Sequence, residues 1–496
     1  MPSQQWWEPA LDEVESFTSV SAEQTSTCCL ASAWRFVGPG IMVAIAYIDP
    51  GNYATDLSGG SRFQYQLLWS ILFAHLVGYT FQVLVLYLSL ATGRNLSEEC
   101  ALEYPRLKVL LWLIAEVSSV ASDLGYVMGT ATAFKIFFNM PLQWAVLLSA
   151  CDTLVFMAIQ AMGHRKMELL CAILGAVVVV CCVSELILAR PPWSALLGYI
   201  PMSTGLPEGK RDATDYIVIT TSIIGASVCP PNFYLHSALV RTRRFHPASI
   251  QAERTKQLQT GTRYNAIETA VGIFFAFSIN SIILVIVGQK YYNSNNPQQI
   301  DNLGLMADFL ELSIGPASKI LFGLAILFGG QAASVTGTLA SQFILEGFMH
   351  VRLKMWIRRL ANRLVSVIPA FFMTLAWGDK SASIIDGAQI VVNFAVPFTL
   401  IPILKFVASQ NKMSCQQISV PSSVLLWAMT AVVIGLNLAS AIQTARDAGP
   451  TAMGLVFLVM VPYIAVLVYM TLKKPTHVPD ADGLAAVMST LPFMES

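Results

Sequence analysis

The chain has 496 residues, 55% hydrophobic and 12% charged, with 30 Lys and Arg against 30 Asp and Glu. Soluble domains carry about 25% charged residues, so this composition belongs to the membrane class. The balanced charge gives no signal for nucleic acid. The nine cysteines, an odd number lying mostly in apolar runs, form no disulfide framework.

Residues 1–34 are polar and acidic, with no basic stretch leading into an apolar one, so they read as a tail without a cleavable signal peptide. Cys28 and Cys29 sit just before the first apolar run and are either palmitoylated or, more blandly, free juxtamembrane thiols. Crossing a ~30 Å hydrocarbon core takes roughly 20 apolar residues. Twelve runs qualify: 36–57, 66–91, 109–138, 142–162, 167–189, 215–240, 265–288, 317–348, 363–378, 383–406, 421–442 and 451–472. An even number puts both termini on one side. Of the 30 Lys and Arg, 21 fall on that side, in the segments after even-numbered spans and at the two ends. The positive-inside rule therefore makes the termini cytoplasmic, in a plasma, endosomal or vacuolar membrane. A transporter domain at 35–474 follows, with a C-terminal tail at 475–496.

Two of these spans carry helix breakers at mid-depth: Asp49-Pro50-Gly51-Asn52 in the first and Cys229-Pro230-Pro231-Asn232 in the sixth. Backbone freed there costs several kcal/mol per unsatisfied group unless it lines a cavity. Interrupted helices at corresponding places in two halves point to a midplane site in an inverted-repeat transporter. The halves are 35–189 and 215–406, with helices eleven and twelve appended.

Asp49 at mid-membrane costs at least ~2.5–3.5 kcal/mol on insertion scales, which marks function. Asn52 adds an uncharged oxygen. With Pro50 and Gly51 unwound and helix resuming near Tyr53, both point into one gap. In the sixth span, carbonyls near Ala226 end a half-helix, where the dipole favours a cation. Cys229 is either a sulfur ligand or a small buried filler. Oxygens with one sulfur suit Mn²⁺, Fe²⁺, Co²⁺ or Cd²⁺ better than Na⁺ or Ca²⁺.

Asp49-Pro50-Gly51-Asn52-Tyr53-Ala54-Thr55-Asp56 resembles the first-helix signature of the Nramp family of metal transporters. The run from Asn232 to Val240 resembles its sixth-helix signature, and Gly330 to Ala340, on to Glu346-Gly347-Phe348, its eighth. Arg358-Arg359 with Asn362-Arg363 resembles the basic opening of the ninth. The resemblance implies an all-α fold of twelve transmembrane helices, a 5+5 inverted repeat like that of sodium-coupled amino-acid symporters, with helices 1 and 6 broken. It also implies import of divalent metal ions linked to protons, with Asp49, Asn52, Ala226 and the residue at Cys229 around the metal.

Departures from the pattern accompany the matches. Cys229 stands where the family has Met, and Pro231 where it has His. Asp123 matches the acid of the third helix, but its second acid is replaced by Tyr126. Ala395 stands where a Gln precedes Val396-Pro397-Phe398, which leaves more room for a hydrated ion. Pro231 and Tyr126 do not titrate near working pH, so proton coupling is expected to be weakened or lost. Asp123, His236, Arg358, Arg359 and Asp56 remain for proton movement or gating, and the family pattern brings Arg358, Arg359 and Arg363 to the acid of helix three.

A lone buried histidine such as His75 is expected to bond a carbonyl rather than a ligand. Glu116 and Asp152 are expected to pair with polar neighbours, and Glu346 to serve a helix end or a gate. The basic loop 241–263 reads as a solvated face beside anionic lipid. No nucleotide, protease or triad motif is present, so no enzyme and no cofactor are expected. The partners are divalent metal ions, protons and the bilayer, for a monomer. An uncoupled carrier of Mg²⁺ or Al³⁺ is the nearest alternative. A non-transporting Nramp-like sensor is a third, which wants a longer C-terminal region.

Overall fold

The computed structural model describes residues 38–160, 164–191, 210–241, 251–292, 303–378, 383–413 and 418–475, and no strand occurs among them. The helices in chain order are α1 (Pro39–Ile45), α2 (Pro50–Phe63), α3 (Leu68–Thr92), α4 (Leu96–Glu103), α5 (Lys108–Phe138) and α6 (Leu142–Gln160). Then come α7 (His164–Ala189), α8 (Lys210–Ser227), α9 (Pro230–Arg241), α10 (Gln251–Lys290), α11 (Leu303–Ser313) and α12 (Pro316–Met349). The last are α13 (Met355–Trp377), α14 (Ser383–Ala395), α15 (Pro397–Val407), α16 (Gln410–Met413), α17 (Val420–Ala448) and α18 (Pro450–Leu472). Among the described residues nine helical units are long and apolar enough to cross a membrane. The broken first span α1–α2, together with α6 and α18, completes the twelve positions expected.

The contacts exchange when the two halves are exchanged. Helix α3 runs along α9 as α10 runs along α2; α5 packs on α14 as α12 packs on α7; α5 and α12 cross each other at the centre. Such reciprocity is what a 5+5 arrangement requires. The largest core cluster joins α1, α2, α7, α10 and α12, including Ile45, Tyr53, Cys181, Cys182 and Ile326.

Both breaks differ in register from the sequence reading. Helix α2 starts at Pro50, not near Tyr53, because proline suits a first helical position, where the missing N–H has no acceptor in any case. The unwound stretch is therefore Ala46–Asp49. Its N–H groups close tight turns onto Val43, Ala44 and Ile45, and the Tyr47 carbonyl accepts from Asn280 Nδ2 at 3.1 Å. In the sixth span Pro230 and Pro231 both open α9, leaving only Val228 and Cys229 between the half-helices. A third interruption, at Val396 before Pro397, divides the tenth span into α14 and α15.

The ninth span also begins earlier than expected. The span expected at 363–378 starts instead at Met355, so α13 carries Arg358, Arg359 and Arg363 as buried residues. Their charge is tolerated because α5 supplies acids opposite them. The seventh span likewise extends back to Gln251 as α10. Cys28, Cys29, both tails, the Asp152 side chain and residues 242–250 of the basic loop lie outside the described residues.

Candidate functional site

Asp49 is the N-cap of α2. It has extended backbone, and its Oδ1 accepts from Asn52 N at 2.6 Å and from Asn52 Nδ2 at 3.0 Å. A carboxylate at a helix start is favoured by the positive end of the dipole and by orphan N–H groups. The same Asn52 Nδ2 reaches across to the Ala226 carbonyl at 3.4 Å, and Asn52 Oδ1 accepts from Ser227 Oγ at 3.1 Å. One side chain thus ties the start of α2 to the end of α8. Asp49, Asn52, Ala226 and Ser227 are all buried.

Cys229 is buried one position before α9. Its thiol lies 3.2 Å from Ser122 Oγ of α5, and its apolar neighbours are Ala121, Ala388 and Val392. Tyr126, one helical turn after Ser122, reaches the Asp49 carboxyl with its side chain. The third-helix position that lost its acid therefore faces the site through a phenol. Pro231 is buried within the first turn of α9.

Gln389 of α14 was missed by the sequence reading. A Cβ placed on Gly51 would overlap its amide nitrogen, and one placed on Gly125 would lie 3.3 Å from it. That nitrogen is buried and has no hydrogen-bond partner among the described residues. Gln389 gives no sign in sequence, being one amide in a helix with no breaker beside it. The expectation for Ala395 needs correction: it lies almost two turns further along. There it lines an apolar cleft of about 390 Å³ with Leu113, Val117, Phe398 and Tyr463 rather than the polar cluster. Helix α14 turns Gln389 and Ala395 to different neighbours.

The remaining predicted residues fall into separate networks. Arg363 Nη1 donates to Asp123 Oδ1 at 3.3 Å, while Arg358 bonds both carboxyl oxygens of Glu116 and also Ser341. Arg359 is buried on the same helix. Glu116 further accepts from Trp112 Nε1 at 3.1 Å. His236 Nδ1 meets Gln82 Oε1 at 2.8 Å, and Gln82 Nε2 donates to the Tyr47 hydroxyl at 3.2 Å. His75 bonds the Ile71 carbonyl at 2.8 Å, as a lone buried histidine does. Asp56 is buried on α2, with Oδ2 lacking a hydrogen-bond partner among the described residues. Glu346 accepts from Gln342 near the end of α12. Neither Asp56, His236 nor the arginines touch Asp49 or Asn52 through a described hydrogen bond.

The sequence model of the natural resistance-associated macrophage protein-like family, Nramp, matches residues 40–443. The chain is 35% identical over 471 residues to Metal transporter Nramp6.1 of Populus trichocarpa, covering 90% of this chain and 83% of that one. It is 35% identical over 417 residues to the Natural resistance-associated macrophage protein 2 homolog of Dictyostelium discoideum; the match takes in 83% of this chain and 64% of that protein's length. The solved manganese transporter of Eremococcus coleocola superposes with a TM-score of 0.80 at 25% identity, over 92% of this chain and 96% of that one. Mhp1, a nucleobase-cation-symport-1 family transporter, shares the fold at a TM-score of 0.52 and 14% identity, over 89% and 95% of the two chains. The family match runs from the first broken helix into α17, and this chain belongs to the Nramp family.

Proposed function

We propose that this chain carries divalent transition-metal ions, Mn²⁺ and Fe²⁺ with Cd²⁺ and Co²⁺ as further substrates, into the cytosol by alternating access. The observation carrying the reading is the meeting of Asp49, Asn52 and the Ala226 carbonyl between two interrupted helices. A carboxylate, an amide oxygen and a half-helix carbonyl, with a thiol one turn away, make a donor set of mixed hardness. The relatives named as metal and manganese transporters support it. Members of such a family move ions and do not transform them, so no enzymatic activity is assigned.

Asp49 holds the charge, Asn52 and Ala226 complete the oxygen set, and Cys229 biases it toward softer ions. Proton coupling is weakened, because Pro231 and Tyr126 occupy positions where a relay needs titrating groups. Asp123, paired with Arg363, and His236, bound to Gln82, remain of that machinery, together with Arg358, Arg359 and Asp56. Cytoplasmic termini are supported by the 21 basic residues on that side.

One observation favours a second reading, an uncoupled carrier of Mg²⁺ or Al³⁺. The Cys229 thiol is engaged by Ser122 and makes none of the hydrogen bonds of the oxygen cluster. Oxygen donors alone suit hard ions. Purified protein in liposomes, assayed for Mn²⁺ and Mg²⁺ uptake with internal pH followed, separates the two. Mn²⁺ uptake lost in Asp49→Ala, with little acidification, is expected; Mg²⁺ uptake that Mn²⁺ fails to compete would establish the second reading. Absence of flux for either ion would leave a sensor.

A further inference from the structure

A second buried acid lies outside the networks described so far. Glu185 sits in the last turn of α7 and is 3% exposed. Its one hydrogen bond among the described residues is from Ser318 Oγ, at 3.5 Å. No cation pairs with it among the described residues. Lys319, beside Ser318, is held by Asp308 at 2.9 Å and Glu311 at 2.6 Å. From α10, Gln289 bonds the Arg190 carbonyl and Lys290 makes no described ion pair; α1 has no titratable side chain; α6 carries Cys151, which is exposed, and Asp152, whose side chain lies outside the described residues. An intramembrane acid without a counter-ion marks function by default.

What faces Glu185 favours a group that changes protonation state. Ser318 lies in the first turn of α12, so the charged form meets a hydroxyl and the positive end of a helix. The neutral form meets burial, which costs it little. Towards the site, Cys182 is three residues earlier on the same face of α7, and its thiol lies beside the Tyr53 hydroxyl. That hydroxyl is buried and has no hydrogen-bond partner among the described residues. Tyr53 follows Asn52 directly. On the far side of Asp49, Tyr126 leads toward Asp123 and Arg363.

The geometry points to Glu185 as a proton-binding residue of transport, linked through Cys182 and Tyr53 to the first break, so that the coupling this chain retains enters from the side opposite its termini. The inference rests on the transport reading above. Five crossings put the end of α7 on the face from which an imported ion comes. A proton taken up there neutralises Glu185 without touching the groups around Asn52. No covalent step is involved.

The test has two arms. In detergent-solubilised protein, infrared difference spectra should show a carboxyl band titrating between about pH 5 and pH 8 that Glu185→Gln removes. Absence of any such band overturns the proposal. In liposomes, Mn²⁺ influx should rise roughly threefold or more as external pH falls across that range. Glu185→Gln and Cys182→Ala should flatten the profile while keeping Mn²⁺ influx, and Glu185→Asp should restore a slope. A profile in Glu185→Gln and Cys182→Ala like that of the parent overturns the proposal. The band without Mn²⁺ uptake by the parent would sink the transport reading and leave the proton site standing.

Discussion

Arg363 and Asp123 meet at 3.3 Å between α13 and α5, and five residues earlier on α13 Arg358 closes on Glu116, two turns earlier on α5. Two acid–guanidinium pairs on matching faces fasten these helices together along the first half of each. Breaking a buried pair leaves an uncompensated charge and costs about 3–5 kcal/mol, whereas removing both partners costs much less. Arg358→Met should therefore lower the thermal unfolding midpoint in detergent far more than Arg358→Met combined with Glu116→Gln. Equal midpoints for the single and double variants would show that the pair is not what holds α13.

Asp49 has two separable roles, as a cap and as a charge. Asparagine caps a helix about as well as aspartate, while alanine loses about 1 kcal/mol. Asp49→Asn should keep the unfolding midpoint and cut Mn²⁺ uptake by roughly tenfold or more, the loss of one charged ligand being worth at least ~1.4 kcal/mol. Asp49→Ala should lose both. Retained uptake in Asp49→Asn would remove the carboxylate from the ligand set.

Cys229 is held by Ser122, which turns its thiol toward α5. A longer thioether in its place reaches further and remains a soft donor. Cys229→Met should weaken competition of Mg²⁺ against Mn²⁺ uptake, and Cys229→Ala should strengthen it. Identical competition curves for all three proteins would make Cys229 a packing residue only.

Close backbone approach sets the position of α14. A Cβ on Gly225 would collide with the Gln389 carbonyl, and one on Gly51 with the Gln389 amide. Gly225→Ala should destabilise by about 1–3 kcal/mol, the usual range for overpacking, because backbone has nowhere to go. Gly51→Ala displaces only the end of a side chain. It should spare stability but reduce uptake if Gln389 borders the ion path, and uptake equal to the parent's would place Gln389 outside it.

Lys412 joins Glu99 at 2.5 Å and Glu103 at 3.4 Å, all three about 1% exposed. Lys412→Met leaves two carboxylates in α4 without this cation and should cost about 3–5 kcal/mol. A near-native unfolding midpoint would mean that Arg94 and Lys473 take over its charge.

The helix count and both breaks were legible because Pro and Gly in apolar runs have few physical explanations. Their register was not, since a proline that opens a helix and one that interrupts it look alike until the N-cap is seen. Asp49 and Asn52 announced themselves as polar groups at mid-depth. Ser227 and Gln389 did not: they become neighbours of Asn52 and Gly51 only once α8 and α14 pack against α2. Arg358 and Arg363 were legible only through the family pattern, which brings them to the acid of helix three. Apolar runs alone could not pair them, since Glu116 and Asp123 lie some 240 residues away in sequence.

The amide of Asn52 offers its nitrogen to Asp49 and Ala226, the same two oxygens assigned to the ion. Loading the site is then a substitution: an arriving cation must displace a donor already seated between them, and the amide must rotate to present its oxygen. Ser227 can follow that rotation, since a hydroxyl that donates to Oδ1 can also accept from Nδ2. The seated amide lets the carrier return without cargo and without a bare carboxylate dragged across the bilayer. Affinity is reduced by the bonds an ion must break on entry, and the same bonds hasten its release.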